Sequence, residues 1–161
     1  MVPARCLFAI SFLLGLSGFV SAQQSTTTCT LEDGRQVYIR YNSATTKSDK
    51  PSNGKPWTPG GSPMTLFTEA PLSFSGAEIP LGAYTVYPFP AKDRWSLAVN
   101  KNVTPGSPYD EKQDIARGQI ETDQIPQPAE SLEVAFAHVG NKCTLRIVFG
   151  KYASFADFMA K

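Results

Sequence analysis

The chain predicts an all-β fold: an antiparallel β-sandwich, jelly-roll or immunoglobulin-like, of about eight or nine strands. Three observations carry the prediction. Short segments of alternating apolar and polar residues recur at roughly 10–12-residue spacings, as half-buried strands do. Thirteen prolines and twelve glycines punctuate them, a turn density that suits hairpins rather than long helices. Helical periodicity is absent outside the last ten residues.

The first 22 residues read as an export signal. Arg5 supplies the positive start, Leu7 to Val20 is an apolar run broken only by Ser and Gly, and Val20-Ser21-Ala22 is a small-residue cleavage site. The run is shorter than the about 20 apolar residues a membrane span needs, and the polar linker QQSTTT follows it. The mature chain is expected to be a single domain, Gln23 to Lys161, periplasmic or extracellular, with no integral membrane segment.

CTLEDGRQVYIRY (29–41) reads as a hairpin turning at Asp33-Gly34, a pair suited to positive φ. Residues 42–63 form a long polar loop with four prolines; loops of this length are usually functional or disordered. MTLFT (64–68) and LSFSG (72–76) are short strands. GAYTVYPFP (82–90) follows a turn at Pro80-Leu81-Gly82. RWSLAVN (94–100) places Trp95, Leu97 and Val99 on one face. In YDEKQDIARGQIETDQ, residues Ala116, Gly118 and Ile120 share one face, and Arg117, Gln119 and Glu121 the other. ESLEVAFAHV directs Leu132, Val134 and Phe136 inward. After a turn at Gly140-Asn141, KCTLRIVFG does the same with Cys143, Leu145, Ile147 and Phe149. The tail YASFADFMAK suits a last edge strand or one helical turn.

Charge narrows the function. Of fifteen basic residues one, Arg5, lies in the signal, so the mature chain balances its basic residues against fourteen acidic ones. The basic residues are dispersed, without the one-sided excess of a nucleic-acid binder or the polybasic run that holds a protein to a membrane surface. Two cysteines follow the signal, Cys29 and Cys143. In an exported chain an even count points to a disulfide; two separate buried thiols are the alternative.

Between Gly54 and Arg117 the chain resembles the family called domain of unknown function 2911, exported bacterial proteins. The resemblance is carried by Gly82, Tyr84 and Pro90, then Trp95, Asn100 and Lys101, then Tyr109, Asp110, Asp114 and Arg117. One segment departs from the pattern: Trp57 is followed by Thr58, where the family has Arg. The resemblance implies architecture and compartment and brings no assigned activity, cofactor or metal.

A catalytic zinc wants three protein ligands, and the chain has one histidine, His138, at a strand end where a structural hydrogen bond is its expected role. No G-x-S-x-G elbow stands in the mature chain. Glu121 and Asp123 are two apart on one strand, so both carboxylates project from one face, as a glycosidase pair does. A solvated face is the plainer reading. Asp110, Glu111 and Asp114 lack the calcium-loop pattern; Asp110, Asp114 and Arg117 are expected to form a structural ion-pair cluster. Trp57, in a Pro/Gly-rich loop, and Tyr109, near another, are the candidates for stacking on a glycan or anchoring a protein partner; Trp57 folded back onto the sandwich is the competing reading. The expectation is a non-catalytic binding or interaction module of the cell envelope, without cofactor or metal. The alternative is a small exported hydrolase acting through Glu121, Asp123 and His138.

Overall fold

The computed structural model describes residues 23–161; the expected export signal lies outside the described residues. Among the described residues, ten strands form two antiparallel sheets packed as a β-sandwich. The larger sheet has the order β1-β2-β3-β6-β7-β8: Gln24–Thr30, Gln36–Asn42, Met64–Thr68, Gly82–Phe89, Ser96–Asn100 and Asp114–Gln119. The smaller has the order β5-β4-β10-β9: Ala77–Ile79, Leu72–Phe74, Lys142–Ala160 and Glu121–Val139.

The inner faces follow the period-2 pattern. Val37 and Ile39 of β2, Met64 and Leu66 of β3, Val86 of β6 and Leu97 and Val99 of β7 are buried against Cys143, Leu145, Ile147 and Phe149 of β10. Each such side chain contributes about 1.5–3 kcal/mol on burial. Cys29 of β1 is disulfide-bonded to Cys143 of β10, with Cα atoms 6.1 Å apart, so the bond ties one sheet to the other. Closing so long a loop contributes about 4–5 kcal/mol in the chain-entropy account.

The structure revises the strand list at four places. QSTTT is not a linker but most of β1, paired in register with β2 from Gln24↔Asn42 to Thr30↔Gln36. Threonine suits an edge strand, but a row of threonines has no apolar alternation to reveal it. Ala77–Ile79 is an additional short strand. The segment after Tyr109 divides at Ile120, whose N–H donates to the Trp95 carbonyl (2.9 Å): β8 lies in one sheet and β9 in the other. The tail is neither helical nor a separate edge strand; it continues β10, central in its sheet, with Met159↔Ser73 and Tyr152↔Gln124 in the ladders. β9 is the edge. Between Gly150↔Ala129 and Tyr152↔Gln124 it bulges out over Ile125, Pro126, Gln127 and Pro128. Prolines fit there because they have no N–H to give a ladder.

Candidate cleft and its two walls

β6 departs from simple alternation: every residue from Tyr84 to Phe89 is buried. Its inner face meets the core. Its outer face is covered by two loops, which makes Tyr87, Phe89 and Ala98 a second small apolar cluster on the outside of the larger sheet. Between these loops the outer sheet face opens into a cleft of about 560 Å³, within the range of small-molecule sites. Its floor carries Arg40, Thr65, Thr85 and Tyr87. One wall is loop 56–63, with Thr58 and Ser62; the other is loop 103–109, with Val103, Ser107 and Tyr109.

The first wall is held from inside the sandwich. Trp57 is 4% exposed, not an exposed anchor as a Pro/Gly-rich loop suggests. Its ring packs on Phe149 (centroids 4.7 Å) and edge-on to Trp95 (6.0 Å). Its Nε1–H donates to Asp49 Oδ1 at 2.7 Å, and Asp49 Oδ2 accepts from the Gly60 N–H at 2.8 Å. The Trp57 and Gly54 N–H groups donate to the Pro88 and Pro90 carbonyls. Gly60 has φ +65°, and a Cβ there would lie 2.5 Å from the Ser43 carbonyl, so the fold of this wall requires glycine. Burying an indole with its N–H satisfied is the economical arrangement for tryptophan, which is why the ring turns inward. Trp95 is buried as expected.

The second wall is held on the outer face by polar groups. Asn100, 1% exposed, donates through Nδ2 to the Asp110 carbonyl (2.8 Å) and to Asp114 Oδ1 (2.9 Å), and accepts from the Asn102 N–H (2.9 Å). The Tyr109 hydroxyl donates to Asp114 Oδ2 at 2.5 Å. The half-buried Tyr109 ring packs on Tyr87 (4.8 Å) and Phe89 (5.5 Å). Burial, then the hydrogen bond to Asp114 and that carboxylate's charge, raises the Tyr109 phenol well above the ordinary tyrosine value. Burial also raises Tyr87.

Arg117 lies over the Phe89 ring at 4.3 Å. It sits 3.9 Å from Asp114 and 4.0 Å from Glu111. The expected ion-pair cluster is therefore corrected in one member. Asp110 does not pair with Arg117; its carboxylate accepts from the Lys112 N–H (3.1 Å) and caps the short turn Glu111–Gln113. Glu111 takes its place.

Glu121, Asp123 and His138 are not brought together. Glu121 and Asp123 sit at the start of β9, opposite Phe155 and Ala153; His138 sits near its end, opposite Cys143. All three are exposed. His138 Nε2–H donates to the Gly140 carbonyl at 2.6 Å, a local turn contact. Among the described residues no group of three His, Cys, Asp or Glu side chains is placed to hold a metal ion, and no helix is long and apolar enough to cross a membrane.

The residues that carry the family resemblance thus have physical tasks in this geometry. Asn100, Tyr109, Asp110, Asp114 and Arg117 form one network. Gly82 takes φ +146° at the turn into β6, and Tyr84 donates to the Pro80 carbonyl (2.8 Å) across it. The family described as "Protein of unknown function (DUF2911)" matches residues 22–155. The chain belongs to the DUF2911 family. No curated protein and no solved structure matches it. Thr58, where the resemblance expects Arg, lines the cleft of this DUF2911 protein. Reading the sequence alone missed Arg40, Thr65 and Thr85 as neighbours in a cleft and Asp49 as the partner of Trp57. The outward alternation of β2 and β3 is the signal for Arg40 and Thr65; Thr85, in the buried run of β6, and Asp49, in a polar loop, have none.

Proposed function

We propose that this DUF2911 protein is a non-catalytic binding module of the cell envelope, exported by its first 22 residues, and that its ligand lies in the cleft between loops 56–63 and 103–109. One observation carries the reading: the two walls of a single cleft are each fixed by a separate side-chain network, Trp57 with Asp49 on one side and Tyr109 with Asp114 and Asn100 on the other. Walls fixed before the ligand arrives lower the ordering cost of binding. The placement of Glu121, Asp123 and His138 at opposite ends of β9 gives no support to a hydrolase built on them.

The test is a ligand-observed NMR screen of envelope glycans and peptides against the wild type and Thr65→Trp. Thr65 is half-buried on the outer face, so an indole there fills the cleft without entering the core. Ligands that bind the wild type and are lost from a folded Thr65→Trp protein support the reading. Ligands that bind both equally, or no ligand at all, overturn it.

A further inference from the structure

We propose that the cleft accepts an acidic sugar: a uronate-containing glycan whose carboxylate meets Arg40 and whose ring hydroxyls meet the hydroxyl and amide side chains around it. The proposal rests on the binding-module reading above and names its ligand class.

The charge pattern is the first argument. Among the described residues, Arg40 is the one charged side chain lining the cleft. Among the described residues it has no carboxylate within ion-pair distance. Its guanidinium lies 4.9 Å from the Phe67 ring centroid and 6.0 Å from that of Tyr38. These two rings are themselves stacked at 4.7 Å and 13°. The aromatic pair gives the guanidinium a flat seat, and no acidic group occupies its donors. A planar fork of unpaired N–H donors matches a carboxylate.

The neighbours supply the second argument. The cross-strand row places Arg40 beside Thr65 and Thr65 beside Thr85. The single proton of the Thr85 hydroxyl goes to the Asn102 carbonyl (2.9 Å), with the Asn100 carbonyl at 3.3 Å as the alternative acceptor, so toward the cleft the hydroxyl acts as an acceptor. Asn42 donates through Nδ2 to the Gly60 carbonyl, which leaves its Oδ1 to accept. Thr65 can do both. Sugar hydroxyls also donate and accept, and a mixed set of neutral groups serves them where an apolar ligand would leave those groups unpaired. A single cation without lysines is a poor match for a polyphosphate. The lack of any lining carboxylate is a poor match for a basic peptide.

Calorimetric titration at low salt tests the proposal, with trimers of galacturonate and of glucuronate, the neutral galactose trimer, and citrate as a carboxylate that is not a sugar. The wild type is compared with Arg40→Gln, an exposed substitution whose melting temperature confirms folding. One uronate trimer should bind at least tenfold more tightly than the neutral trimer and than citrate. That advantage should shrink with added salt and disappear in Arg40→Gln. Equal binding of the neutral trimer refutes the role of charge, and equal binding of citrate refutes the sugar. If no uronate binds, this inference fails. The binding-module reading then still stands on any ligand that Thr65→Trp abolishes, and falls if that screen is empty or its ligands bind both proteins equally.

Discussion

The two walls of the cleft are held by different means. Loop 56–63 is pinned by an indole driven into the core, where Trp57 meets Trp95 and Phe149. Loop 103–109 is pinned on the outside of the sheet by a carboxylate, Asp114, that accepts from Tyr109 and Asn100. The first latch draws mainly on apolar burial, which is strong, with the Asp49 carboxylate accepting from the indole and from the Gly60 N–H. The second draws on hydrogen bonds to a charged group, each worth less and each dependent on protonation. One wall is therefore part of the global fold, while the other is a local structure laid upon it. That difference dictates what each mutation should do.

The largest effect is expected from Trp57→Ala. Truncating a buried indole should cost about 3–5 kcal/mol, similar to Trp95→Ala, because both rings belong to one cluster. Urea unfolding of the two variants is the measurement. If Trp57→Ala leaves the midpoint unchanged, the indole is not a core group and the contrast between the walls collapses.

Asp114→Ala should act on a smaller scale. It leaves the Tyr109 hydroxyl and one donor direction of Asn100 without their acceptor, and hydrogen bonds to charged groups contribute about 1.5–3 kcal/mol. The loss should be local: amide exchange should accelerate through residues 101–113 and stay unchanged in β3 and β10. Uniform acceleration across the whole domain would mean that the outer wall is as global as the inner one.

This contrast also separates what could be read in the sequence from what could not. The strands 64–68, 72–74, 82–89 and 96–100 and the turns at Gly34 and Gly140 were legible because alternation and turn chemistry are local. So was the pairing of Cys29 with Cys143, since few cysteines leave few choices. β1 was not, because its exposed threonines need no apolar face. Trp57 was not, because a polar proline-rich loop says nothing about which way its one large ring turns. That is decided by Phe149 and Trp95, from other parts of the chain. The second wall was half legible: the family-like residues from Asn100 to Arg117 marked its place, but the assignment of Asp110 to a cap and Glu111 to Arg117 depends on the short turn Glu111–Gln113.

The smallest expected effect is the most specific to the outer latch. The Tyr109 phenol is raised above the ordinary value of 10.0, first by burial and then by its bond to Asp114, with Arg117 pulling the other way. A raised tyrosine holds its proton in the folded state where the unfolded chain has lost it. Its contribution to stability is therefore complete below about pH 10 and declines as pH rises above that toward the folded value. The indole of the inner latch carries no ionisable proton in this range. Comparing the wild type with Tyr109→Phe by urea unfolding from pH 7 to pH 11 isolates the term, because the other tyrosines are common to both proteins. The stability difference between them should be constant up to about pH 9 and should narrow above pH 10. A difference that stays flat to pH 11, or widens, would show that the hydroxyl of Tyr109 does not hold the wall through Asp114. The outer latch would then reduce to the packing of its ring on Tyr87 and Phe89, and the two walls would differ in degree rather than in kind.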